Sequence, residues 1–207
     1  MRSVLVLAWA WGAMTLWSAA QDRPNVLFIM ADDLRSELGC MGANHVISPN
    51  LDALAACGRL FARAYCQQAV CNPSRASIMT GLRPDTLRIW DLPTHLRDRR
   101  PEVITLPQHF KNHGYFTQGI GKLFHNWRQE IEGDPKSWSV PQVMHFARHG
   151  DDKPLSPDPG RLSPNLSRNP KCDRRAVPDS AYFDGRIANL AIEALGQLKK
   201  NKKPFFL

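Results

Sequence analysis

Cys71-Asn72-Pro73-Ser74-Arg75-Ala76-Ser77-Ile78-Met79-Thr80-Gly81 is the stretch around which the chain is read. Pro73 has no N–H to lose, and its fixed φ suits the first turn of a helix. Residues 74–80 can continue as helix, and Gly81 can end it. Cys71 then stands at the helix N-terminus, where free N–H groups and the dipole favour an anion. Arg75, one turn on, is a permanent planar cation able to fork two oxygens. A plain structural or disulfide cysteine beside a turn is the alternative at this point.

Upstream, Arg23-Pro24 leads into Asn25-Val26-Leu27-Phe28-Ile29-Met30-Ala31, a continuous apolar run ending in Asp32-Asp33. Such a run predicts a strand buried on both faces of a parallel sheet. Ligands of open α/β sheets gather at the carboxyl ends of strands. Two adjacent carboxylates there repel unless a cation joins them, and their hard oxygens suit Ca²⁺ or Mg²⁺. Asp-Asp serves equally well as a helix cap followed by a first-turn acid. Further on, Ser48 and Pro49 predict a helix start, with Leu51, Leu54 and Ala55 as its apolar face and Cys57-Gly58 as its close. Residues 60–65 alternate weakly and read as a short strand.

Downstream, residues 82–105 are loop-rich, with a turn at Arg83-Pro84-Asp85-Thr86 and His95 on an exposed loop. A short helix is expected over residues 106–114, with Pro near its start and Gly at its end, and a strand over 115–120. Gly121-Lys122-Leu123-Phe124-His125 follows. There Gly121 lets the backbone approach a ligand, while Lys122 and His125 offer a fixed cation and a titratable imidazole. Residues 133–180 carry many prolines and read as an irregular surface segment. Asp179-Ser180 begins a helix whose apolar face is Ile187, Ala191, Ala194 and Leu198. Lys203-Pro204-Phe205-Phe206-Leu207 opens another buried strand.

The chain of 207 residues is 43% hydrophobic and 22% charged, enough for one core. Its formal charge of +8 suits anionic partners. Basic clusters such as Arg97/Arg99/Arg100 lack aromatic interleaving or a nucleic-acid motif, which argues against a nucleic-acid partner. Residues 1–20 read as a secretory signal peptide: Arg2 at the start, an uncharged apolar run, then Ser18-Ala19-Ala20 before the cut. That run is too short for a membrane anchor. An exported mature chain, periplasmic, extracellular or lysosomal according to the host, is expected. Export permits disulfides, but Cys40, Cys57, Cys66, Cys71 and Cys172 are odd in number, so one is unpaired or modified. Their spacing makes no zinc site. Asn165-Leu166-Ser167 is a glycosylation sequon in a host that glycosylates.

Taken in order, Asp32-Asp33, Cys71-Asn72-Pro73-Ser74-Arg75 with Thr80-Gly81, and Gly121-Lys122-Leu123-Phe124-His125 resemble the type I sulfatases. Within that family the runs Asp32-Asp33-Leu34-Arg35, Gln67-Gln68-Ala69-Val70-Cys71 and Gly121–His125 look most like the iduronate-2-sulfatase branch, which acts on 2-O-sulfated uronate in glycosaminoglycans. The resemblance implies an alkaline-phosphatase-like α/β sandwich with a mostly parallel central sheet. It implies that Cys71 becomes formylglycine, made by a formylglycine-generating enzyme, whose hydrate attacks a sulfate ester. It further implies a metal, Ca²⁺ or Mg²⁺, at Asp32, Asp33 and position 71. Catalytic roles fall to Cys71, Arg75, Lys122 and His125, with His125 assisting removal of a proton as sulfate is expelled. The substrate would be a sulfated glycan or small sulfate ester. Sulfatases of this type are longer, so residues 21–207 are expected to be the N-terminal part of a catalytic domain, incomplete at the C-terminus. Two other readings remain open: a phosphonate or phosphate ester hydrolase of the same superfamily, and a catalytically inactive exported remnant.

Overall fold

A computed structural model of the chain describes residues 23–125, 133–145, 178–201 and 203–207. The signal segment, Cys172 and the Asn165 sequon lie outside the described residues.

The element order places six helices around a small parallel sheet among the described residues: α1 (Pro49–Cys57), α2 (Cys71–Thr80), α3 (Pro84–Leu87), α4 (Leu96–Arg99), α5 (Leu106–Asn112), β1 (Phe116–Thr117), α6 (Phe183–Leu198) and β2 (Phe205–Phe206). β1 and β2 pair in parallel, Phe116 opposite Phe205 and Thr117 opposite Phe206. On the other side of β2, Val26 N–H donates to Phe205 O (2.8 Å) and Phe28 N–H to Leu207 O (2.7 Å). The Pro-Phe-Phe-Leu run is therefore the central strand, as its unbroken hydrophobicity predicts for a strand covered on both faces. All three residues Phe205, Phe206 and Leu207 are buried.

The run at residues 25–31 departs from expectation. It pairs with β2 through Val26 and Phe28 only, and Leu27 and Ile29 point outward, Ile29 78% exposed. Only the face carrying Val26, Phe28 and Met30 packs on the core. An apolar run cannot tell how closely its second face will be covered; here Leu27 and Ile29 line an open cavity opposite Phe183, Ile187 and Ala191 of α6 instead of packing on them. α1 departs likewise: none of its residues is buried, and Leu54 is 66% exposed. Ser48 does not cap it by bonding a backbone N–H. Its hydroxyl donates to Asp52 Oδ1 (3.0 Å) and accepts from Gly39 N–H (2.9 Å), while Cys40 N–H donates to the same carboxylate (2.7 Å). Asp52 thereby ties α1 to the 3-10 turn at Gly39–Met41, and desolvation, followed by that carboxylate, pushes the Cys40 thiol up. Residues 60–65 form no strand; they are turn and irregular backbone, all exposed.

The main core lies between α2, the 82–105 segment and the sheet. Met79, Leu87 and Ile89 are fully enclosed, and Phe110 stacks on Phe206 with ring centroids 4.9 Å apart. α5 begins where Thr105 accepts from Gln108 N–H, with Pro107 in its first turn. The expected apolar face of α6 is present: Ile187, Ala191 and Ala194 are half-buried and Leu198 is buried. His95, expected on an exposed loop, is 6% exposed. Its Nε2 bonds Gly133 O (2.9 Å) and its Nδ1 accepts from Arg97 N–H (3.1 Å), so it caps α4 from inside. Arg97 is no solvated patch either. Its Nε and Nη2 fork onto Asp134 at 2.8 and 2.7 Å, and Asp134 is 1% exposed. Loop residues with no periodicity gave no sign of this burial, because their packing is set by segments remote in the chain.

Cys40, Cys57, Cys66 and Cys71 carry free thiols. Among the described residues no helix is long and apolar enough to cross a membrane.

The Arg97–Asp134 fork yields a stability prediction. Replacing Asp134 by Ala leaves a largely enclosed guanidinium unpaired, and also strips Ser137 Oγ of its 2.5 Å acceptor. Breaking one partner of such a buried pair costs about 3–5 kcal/mol. Urea unfolding of Asp134→Ala against the parent is expected to show that loss as a lower midpoint; an unchanged midpoint would refute the pair's role.

Candidate active site

Three chain segments meet at the carboxyl side of the sheet: the end of the 25–31 run, the start of α2, and the turn after β1. α2 begins at Cys71, so position 71 stands at the helix N-terminus as expected, with Val70 extended before it and Ser74 N–H donating to Val70 O (3.1 Å). Pro73 is the third helical residue, still within the turn whose N–H groups have no helical partner. Gly81 ends the helix at φ 71, donating to Ser77 O. Cys71 therefore sits where the helix dipole and unpaired N–H groups favour negative charge.

Asp32-Asp33 is not a helix cap, because no helix follows it; the chain bends there, with Asp33 at φ 53. Asp tolerates the left-handed region better than most residues, and the bend carries both carboxylates towards Cys71. One ligand atom each of Asp32, Asp33 and Cys71 lie within 4.8 Å of one another.

Arg75 binds this corner together. It is only 4% exposed, and its Nη2 donates to Asp32 Oδ1 at 2.9 Å. Its Nη1 reaches Lys122 O, Leu123 O (3.3 Å) and Met30 Sδ (2.9 Å). The guanidinium thus spends its donors on the protein's own strand ends. Lys122 supplies the second cation: its Nζ donates to Asp32 Oδ2 at 2.5 Å and stands 3.6 Å from Cys71 Sγ. Partial burial raises the Asp32 pKa, but hydrogen bonds and charge from Lys122 and Arg75 outweigh it and hold the carboxyl at about 2. Asp32 is therefore a carboxylate throughout the neutral range.

Gly121 positions Lys122. It adopts φ 82, and a Cβ there would lie 2.8 Å from Ile187 Cδ1 on α6. Only glycine allows both the left-handed turn and that approach. His125 is buried three residues beyond Lys122. Two cavities adjoin the cluster. One of about 380 Å³ holds Asp32, Asp33, Cys71 and Arg75 with Cys66 and Gln68 on its wall. The other, about 540 Å³, runs from Asp32 and Lys122 along Phe28 to Asp184 and Ile187 of α6. Both contain Asp32, Asp33 and Arg75; Cys71 lines the smaller, and Lys122 with the apolar face of α6 lines the larger. His125 lines neither. So the structure gathers Asp32, Asp33, Cys71, Arg75 and Lys122 at one point, and His125 is buried three residues further along the chain.

The donor set discriminates between cations. Carboxylate oxygens suit Ca²⁺ or Mg²⁺, whereas a thiolate is too soft for either. The residues fit a hard divalent cation once position 71 offers oxygen in place of sulfur, as formylglycine would. Asn72 carries a role that its place in the sequence does not mark. It is buried, and its side-chain amide donates to Asp91 O (2.8 Å) and Thr94 O (2.7 Å), pinning the next loop to α2. Met30 was likewise read only as strand. Nothing local in the sequence marks either contact.

The family model described as Sulfatase matches residues 24–207. Human iduronate 2-sulfatase is 39% identical over 201 residues, which cover 96% of this chain and 36% of that protein. A sulfatase of Formosa agariphila is 34% identical, covering 90% of this chain and 38% of its own length. The chain thus spans little more than a third of these relatives. Among solved structures, the phosphonate monoester hydrolase of Agrobacterium radiobacter superposes with a TM-score of 0.58 at 24% identity, over 89% of this chain and 40% of that one. That likeness shows the fold: an alkaline-phosphatase-like α/β architecture, of which these elements are a part.

Gly121 makes a further prediction. Gly42 also has a positive φ (90) but nothing within 4 Å of its would-be Cβ, so Gly42→Ala meets backbone strain alone. Gly121→Ala meets strain and the Ile187 collision, and is expected to lose about 1–3 kcal/mol, more than Gly42→Ala loses. Equal losses in urea unfolding would show that α6 does not press on the turn.

Proposed function

The chain belongs to the sulfatase family, and from that premise we propose that the protein removes sulfate from a sulfated sugar, in the manner of the iduronate-2-sulfatase branch. The carrying observation is the convergence of Cys71, at the N-terminus of α2, with the Asp32–Asp33 pair and the Lys122 ammonium. The signal-like residues 1–20 fit an exported hydrolase, and residues 21–207 its N-terminal catalytic part. A formylglycine-generating enzyme would be the partner that prepares Cys71.

Formylglycine at position 71 supplies, as its hydrate, the nucleophilic hydroxyl, and a divalent cation, Ca²⁺ with Mg²⁺ as the alternative, supplies positive charge for sulfate oxygens. Asp32, Asp33 and the position-71 oxygen would hold that cation. Arg75 keeps Asp32 ionised and aimed, since its guanidinium is anchored on the Lys122 and Leu123 carbonyls. Its role is therefore to fix a ligand more than to reach for the ester. Lys122 lies between Asp32 and position 71, where its ammonium neutralises the charge that grows on the sulfate oxygens as the sugar alcohol leaves. To His125 this reading assigns the proton that moves as sulfate departs. The helix N-terminus adds a fixed field favouring anions at the same point.

The test is turnover of a 2-O-sulfated uronate disaccharide, beside a phosphonate ester of similar size, by the protein as its source makes it. Cys71→Ala is expected to abolish desulfation, and a chelator to suppress it until Ca²⁺ is restored. Lys122→Ala should lower kcat by about 10²–10³. Peptide mass analysis should show an aldehyde at position 71. Desulfation that survives Cys71→Ala would sink the reading, and turnover of the phosphonate alone would transfer it to the other branch of the superfamily.

A further inference from the structure

We propose that Trp90 is a sugar-stacking residue at the rim of the Cys71 cavity, placing an indole face against the pyranose ring whose sulfate enters the site. This rests on the reading of the site as a sulfated-sugar hydrolase and adds how the sugar is held.

Trp90 is 54% exposed. A single exposed aromatic is ordinary, but here the ring is held by a hydrogen bond and the backbone on either side of it is anchored. Its indole N–H donates to Asp85 Oδ1 at 2.8 Å, so the polar edge is engaged and the ring is held. Its backbone carbonyl accepts from Gln68 Nε2 (3.3 Å), and Gln68 is on the wall of the 380 Å³ cavity with Cys71 and the acid pair. Its neighbour Ile89 is fully buried. The next residue, Asp91, gives its carbonyl to Asn72, the residue after Cys71, and Asn72 also takes Thr94 O. The loop bearing Trp90 is therefore bolted to the first turn of α2, at the very residues that present position 71.

The cavity sets Asp32, Asp33, Cys71 and Arg75 beside the apolar Leu34, Val70 and Ile78, and on the proposed reading a cation on the acid pair would draw the sulfate there. It offers no aromatic surface for the carbon face of a sugar. A sulfate drawn to Cys71 leaves its sugar projecting past the wall, and Trp90 is one residue's reach beyond Gln68. Large rigid aromatics contribute contact area at little entropic cost when their ring is already fixed. The hydrogen bond to Asp85 has met that cost in advance.

The test is calorimetric titration of a 2-O-sulfated uronate disaccharide into the full chain in a Cys71→Ala background, so that the sugar is not consumed. Trp90→Ala is expected to weaken binding about tenfold, and Trp90→Phe, which keeps a ring face, to stay within about twofold of the parent. Affinity for inorganic sulfate, which fills the anion position without a sugar, should be unchanged in both. Disaccharide binding that is unaltered in Trp90→Ala, equally lost in both variants, lost in parallel with sulfate, or absent from the parent would overturn the proposal. Turnover is read separately: Trp90-dependent binding of a sugar that the unsubstituted protein never desulfates would sink the hydrolase reading and leave the stacking surface in place.

Discussion

The buried guanidinium of Arg75 is the constraint on which the site depends. An enclosed cation is costly unless each donor finds an acceptor. Arg75 meets that demand with Asp32, two carbonyls of the turn after β1, and the Met30 sulfur. These partners come from two different strand ends, while Arg75 itself belongs to α2. One side chain therefore fixes the mutual position of all three segments. Asp32 accepts from two cations and stays ionised, Lys122 is drawn over Cys71, and the glycine turn that carries Lys122 is closed from behind by α6.

Around this corner the structure is uneven in a way that follows its packing. The α2 side is dense, with Met79, Leu87 and Ile89 enclosed and the following loop tied down through Asn72, His95 and the Arg97–Asp134 fork. The α1 side is open, and its apolar residues face outward. Polar contacts centred on Asp52, not apolar burial, hold α1 to the preceding turn.

Much of this was legible in the residue order, and for physical reasons. The Cys71 helix, its glycine stop, the α5 helix with its proline start, and the buried Phe-Phe strand are local matters of φ, capping and hydrophobic run. The resemblance links Asp32-Asp33, Cys71–Arg75, Lys122 and His125 as one site. The failures share one cause. The outward face of residues 25–31, the bare apolar face of α1, the missing strand at residues 60–65 and the buried His95 all turn on what packs against a segment. That depends on residues remote in sequence, so a local pattern does not carry it.

The sequence by itself determined the chemistry available: a cysteine at a helix start, paired acids after an apolar run, a glycine-released lysine, and hence the family. Tertiary structure alone decided how those groups divide their labour. It turned Arg75 inward to hold Asp32, set the Lys122 ammonium between that acid and Cys71, and fastened Trp90 through Asp85 and through Gln68, which lines the cavity. Residue identity sets charge and hydrogen-bonding capacity, whereas the partner each group satisfies is settled only when separate segments are brought within about 3 Å of one another.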